Sequence, residues 1–156
     1  MSKLVVVIGI VAVAGGIFAL KTMEEEPAAA PSKAVAGPPA GAQFTHDSPE
    51  TIIKELGAAK KGARDSVADS FCGLWVPAAG WEGEVIAADR SGFRIRRFDP
   101  TLIGGECFVT ARCDHNPEVK VGQVVRVQGR IKDVSSKPSV ASVSHNIELE
   151  QSRVVR

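Results

Sequence analysis

Val125, Val127, Gly129 and Ile131 alternate with Arg126, Gln128, Arg130 and Lys132. Successive side chains of a strand point to opposite faces, so this run has one apolar face and one basic face only if it is extended. On a helix the same residues would be scattered around the axis. The two-residue period begins at Trp81 and returns in five stretches. These are Glu82–Ala88 (EGEVIAA), Phe93–Phe98 (FRIRRF), Cys107–Cys113 (CFVTARC), Val124–Val134 (VVRVQGRIKDV) and much of Ser142–Val155. Turn signals part them: Asp89-Arg90-Ser91-Gly92, Asp99-Pro100, Gly104-Gly105, Asp114-His115-Asn116-Pro117 and Ser135-Ser136-Lys137-Pro138. Five short strands predict a small, mainly β domain over residues 81–156. Gly83 in the first strand and Gly129 in the fourth permit the bending and close backbone approach that a small closed barrel needs.

The residues ahead of it, 47–80, read as a helical segment. Asp47 or Ser48 can cap a helix, Pro49 is tolerated in the first turn, and Glu50 suits the positive N-terminal end. Ile52, Ile53 and Leu56 make a short apolar face. Gly57 and Gly62 weaken its continuation, and Val67 and Phe71 resume the spacing. One broken helix or two short ones over 49–72 is the expectation. It is read as packing on the β domain, in preference to binding a partner.

Further upstream, Leu4–Leu20 (LVVVIGIVAVAGGIFAL) carries no charge and lies between Lys3 and Lys21. A membrane-spanning helix needs roughly 20 mostly apolar residues, with about 17 at the lower limit. A cleaved signal peptide has a shorter apolar core and a small-x-small site at its end. Here the end reads FALKTMEEEP, and the first such sites, Ala28–Ala30 and Ala34–Ala36, come several residues later. Residues 1–22 are therefore read as an uncleaved N-terminal transmembrane anchor. The small basic bias toward Lys3 predicts a cytoplasmic N-terminus and an extracytoplasmic C-terminal part. Residues 23–46, rich in Pro, Ala and Gly, read as a semi-extended linker.

With WEGEVIAAD (81–89), VKVGQVVRVQGRIKDV (119–134) and IELEQSRVV (147–155) in view, the C-terminal half resembles the tRNA_anti-like family of extracytoplasmic OB-fold domains. Val-Gly-Gln before a strand with a central glycine is the best-matching part. The pair Cys107 and Cys113 departs from the usual pattern. The resemblance implies a five-stranded OB-like barrel and no catalytic residues.

OB-folds that bind oligomers use the face of strands two and three with adjoining loops. If Phe93 and Ile95 point inward, then Arg94, Arg96 and Phe98 point outward. If Cys107, Val109 and Ala111 point inward, then Phe108, Thr110 and Arg112 point outward. Arg94, Arg96, Phe98, Phe108 and Arg112 then share one surface, with the chemistry of a stacking and anion-binding platform. The plainer alternative is that the arginines solubilise an outer face while Phe98 and Phe108 pack under the helix. Residues 81–156 hold 12 Lys/Arg against 10 Asp/Glu, and the whole chain has a formal charge of only +1. That balance opposes a general polyanion binder. A protein or small-ligand partner is the expected occupant, and a nucleic-acid-binding OB-fold is the alternative.

Cys72, Cys107 and Cys113 have no C-x-x-C spacing, so no metal site is expected. Cys107 and Cys113 are six apart on one predicted strand, too far to bridge each other. Cys72 could pair with either. His115, His46 and His145 are isolated, and no nucleophile motif, phosphate loop or carboxylate pair appears. The expectation is a membrane-anchored binding or scaffolding module in the cell envelope, not an enzyme, with no cofactor.

Overall fold

Ser48 caps the first helix: its hydroxyl accepts from the Thr51 N–H at 3.2 Å, and α1 runs from Pro49 to Ala58. Ala59 and Lys60 are extended, a 3-10 turn follows at Lys61–Ala63, and α2 covers Arg64–Phe71. The helical segment is thus two short helices, with Ile52, Ile53, Leu56 and Phe71 buried. The computed structural model describes residues 37–138 and 143–156. The span Leu4–Leu20 and most of the expected linker lie outside the described residues. Among the described residues no helix is long and apolar enough to cross a membrane.

The period-two residues form β1 (Trp81–Asp89), β2 (Gly92–Phe98), β3 (Glu106–Arg112), β4 (Val124–Pro138) and β5 (Val143–Val155). They make one five-stranded sheet, ordered β1-β2-β3-β5-β4, that closes in a ring through the pairing of β1 with β4. Within this sheet β3 and β5 run parallel, and the other paired strands described are antiparallel. Val85, Ile95, Val109, Val127, Ile147 and Leu149 fill the interior with no solvent exposure, and the buried helix residues join the same apolar cluster.

Two glycines allow the tight curvature. A Cβ on Gly129 would sit 2.6 Å from Ser152 Oγ and 3.0 Å from the Glu150 carbonyl oxygen, where the β4–β5 register shifts. A Cβ on Gly83 would sit 2.9 Å from Ile95 Cδ1. Any side chain at either place would push the neighbouring strand away.

The fourth strand corrects one expectation. Ser135-Ser136-Lys137-Pro138 is not a turn but the last part of β4, paired with Val143–Asn146. Polar residues with turn propensity are held extended here because the whole stretch has a partner strand. Gln128 departs from the exposed basic face as well. It is 1% exposed, its Nε2 donates to the Val76 carbonyl at 3.2 Å, and its Oε1 accepts from Arg153 Nε and Nη2 at 3.0 and 2.7 Å. The cover is the segment 73–76, which bonds to β4 beyond the reach of β1: Gly73 N–H to Ile131 O, Ile131 N–H to Leu74 O, and Val76 N–H to Gly129 O. Trp75 in turn exchanges backbone hydrogen bonds with Gln43 and Thr45, so the end of the segment read as linker is tied to the folded unit.

Among the described residues, a partly buried ion pair joins helix to sheet. Arg97 on β2 has the inward parity of Phe93 and Ile95, and its Nε donates to the Glu50 carboxylate of α1 while Nη1 donates to the Glu82 carbonyl. Burial pushes the Glu50 carboxyl upward, but the Arg97 bond and the N–H and hydroxyl donors of the first helical turn outweigh it. The group is held below the usual carboxylate range.

Candidate functional site

Strand parity delivers the outward set on β2 and β3. Arg94 pairs across the sheet with Thr110, Arg96 with Phe108, Phe98 with Glu106, and Arg112 with Gly92. The guanidinium of Arg94 lies over the Phe108 ring, 4.2 Å from its centroid. This distance suits a cation–π contact. Arg96 donates to Glu84 at 2.9 Å and lies 3.6 Å from Glu106. Arg112 lies 3.6 Å from Glu148, which also accepts from Lys132 at 3.2 Å.

Arg94, Arg96 and Phe108 therefore form the centre of this face. Phe98 stands at one end, about 13 Å along β2 from Arg94, and is 73% exposed. Neither phenylalanine packs under the helices: Phe98 faces solvent, and Phe108 is half-buried beneath Arg94. Arg112 stands at the opposite end, beside the β1–β2 turn. Two of the three arginines are neutralised by carboxylates on the same face. A stretched nucleic-acid backbone needs a run of free cations, so this pattern suits a neutral or locally charged partner better than a polyanion.

The parallel pairing of β3 with β5 brings in residues that the sequence reading left out. Thr110 Oγ1 donates to Asn146 Oδ1 at 2.9 Å. Asn146 pairs with Ser135, and Ser144 with Lys137, on the long β4–β5 hairpin. Arg94, Thr110, Asn146, Ser135, Ser144 and Lys137 line a polar pocket of about 260 Å3. Ser144 and Asn146 do alternate with the buried His145 and Ile147, which is a legible signal. Their place beside Arg94 has no local signature.

A second, larger cleft of about 510 Å3 lies between the helices and the β4–β5 hairpin, with Leu56, Ala68, Ile103, Val134 and His145 among its walls. The His145 ring is buried. Its Nε2 stands 3.0 Å from the Ile103 carbonyl, which can only accept, so Nε2 carries the proton and Nδ1 accepts from Ser136 Oγ at 2.9 Å. Both ring nitrogens are thus committed to backbone and hydroxyl partners. His46 and His115 are exposed. Among the described residues no group of three or more His, Cys, Asp and Glu converges in a way that could hold a metal ion.

All three cysteines are free thiols. Burial pushes Cys107 up to about 12 and Cys113 up to about 11. Burial, followed by the charges of Asp69 and Asp133, also raises exposed Cys72, whose Sγ–H points to the Lys132 and Ala68 carbonyls. None of them has the lowered value of a nucleophilic cysteine. No family model matches this chain, and neither a curated protein nor a solved structure matches it significantly.

Proposed function

We propose that this protein is a binding or scaffolding module with an OB-like barrel, similar to the tRNA_anti-like domains, held at a membrane by Leu4–Leu20 on its extracytoplasmic side. The occupied surface is the outer face of β2 and β3, and its occupant is a protein or a small ligand. The observation that carries this reading is Phe98. It is a large apolar side chain left 73% exposed beside Arg96 and Arg97, both of which are held in ion pairs. Apolar groups inside a ring of polar side chains mark interaction surfaces.

Two measurements test it. A reporter fused to the C-terminus should be active only outside the cytoplasm; cytoplasmic activity sinks the topology. Affinity capture with the full chain, repeated with Phe98→Ala plus Arg96→Glu and with Arg126→Glu on another face, tests the surface. A partner lost in the first variant and kept in the second supports the face. A partner lost in the second alone places binding elsewhere.

A further inference from the structure

The polar pocket beside Arg94 contains more positive charge than the fold uses. Arg94 and Lys137 line it, no carboxylate does, and neither cation is in an ion pair among the described residues. The nearest acid on that face of β5 is Glu148, and its Oε1 is taken by Arg112 and Lys132. The Arg94 Nε–H is buried without a hydrogen-bond partner. Buried donors are nearly always satisfied, and among the described residues this one meets no acceptor. Phe108 lies beneath the guanidinium, 4.2 Å from ring centroid to Cζ, and a guanidinium fork can meet two oxygens of one acceptor. Around it stand the hydroxyls of Ser135 and Ser144. The Asn146 Nδ2 is left as a donor, since its Oδ1 is used by Thr110.

We propose that this pocket binds one phosphate group of the ligand. A phosphate carries up to two negative charges and three or more acceptor oxygens. Two cations and a surrounding set of hydroxyl and amide donors match that count. A carboxylate, with one charge and two oxygens, would leave one cation unpaired. The pocket is small, about 260 Å3, and Arg94 and Lys137 are the cations that line it, so it takes a single group and not a phosphate chain. This inference rests on the outer face of β2 and β3 being the binding face, and it names the chemistry of what that face takes.

The experiment is isothermal titration calorimetry of the detergent-solubilised full chain. Probes are inorganic phosphate, glycerol 3-phosphate and acetate. Saturable phosphate binding is expected, with acetate at least about tenfold weaker. Lys137→Ala and Arg94→Gln should each weaken phosphate by about tenfold or more, as the loss of one charge-assisted hydrogen bond implies. Arg126→Ala, on another face, should leave it unchanged. Lys137 is exposed, so Lys137→Ala tests the site even if Arg94→Gln disturbs folding. Tighter glycerol 3-phosphate assigns the group to an esterified ligand such as a lipid headgroup, and tighter inorganic phosphate assigns it to the free ion. No saturable binding, equal binding in Lys137→Ala, or acetate as tight as phosphate overturns the proposal. Absent phosphate binding alongside partner capture that depends on Phe98 removes the pocket and spares the face. Phosphate binding with capture indifferent to Phe98 and Arg96 does the reverse.

Discussion

Replacing Glu50 by Gln should cost this fold more than any other single ion-pair deletion among the described residues. The carboxylate and the Arg97 guanidinium are in hydrogen-bond contact, with 10% and 26% of their side chains exposed. At about 4 Å and an effective dielectric constant of about 20, two unit charges attract by about 4 kcal/mol. Desolvation of both offsets much of that. Deleting one partner of a fully buried pair costs about 3–5 kcal/mol. Arg97 retains a quarter of its exposure and its bond to the Glu82 carbonyl, so it can partly rehydrate, and about 2 kcal/mol is expected. The matched control is Glu84→Gln, which breaks a pair whose side chains are 45% and 43% exposed. It should cost about 0–1 kcal/mol. Urea unfolding of residues 34–156, followed by tryptophan fluorescence at neutral pH, measures both. The pH dependence has a definite sign. The folded Glu50 carboxyl lies below its unfolded value of 4.5, so its contribution is present above that value and is lost as pH falls through the lower folded one. Glu50→Gln should therefore flatten the acid limb of the stability curve. If Glu50→Gln and Glu84→Gln cost the same within about 0.5 kcal/mol, the pair is hydrated in solution and α1 is not docked through it.

Strand parity makes opposite demands at two positions: Val127→Asp should abolish cooperative unfolding by burying an unpaired charge, and Arg96→Ala should stay within about 0.5 kcal/mol in thermal melts. The reverse pattern would invert the faces of β2 and β4. Thiol labelling should order the cysteines by exposure, with Cys72 first and Cys107 only as the domain unfolds globally, and a non-reducing peptide map should return three free thiols. Equal labelling rates for Cys72 and Cys107 would contradict the packing of β3. Asp99 accepts from the Thr101 hydroxyl and N–H and from Lys54 at 3.0 Å, which holds its carboxyl down to about 2. Carbon-detected NMR titration should find it still ionised at pH values where other aspartates are half-protonated, and Thr101→Ala should raise it.

Local pattern was enough to read the strands and their inward residues. Phe93, Ile95, Cys107, Val109, Ala111, Val125, Val127 and Ile131 are all buried as alternation requires, because side-chain direction in a strand depends only on position along it. The helix start at Ser48 and Pro49 was equally legible, since a cap acts within its own turn. Pairing between strands distant in sequence was not. The parallel register of β3 with β5 sets Asn146, Ser144 and Lys137 beside Arg94. The segment 73–76 buries Gln128, and Arg97 reaches Glu50 forty-seven residues away. Each of these is fixed by how the ring closes and where the helices pack against it. The free energy that selects them is spread over the whole core, so no short stretch of residues carries their trace.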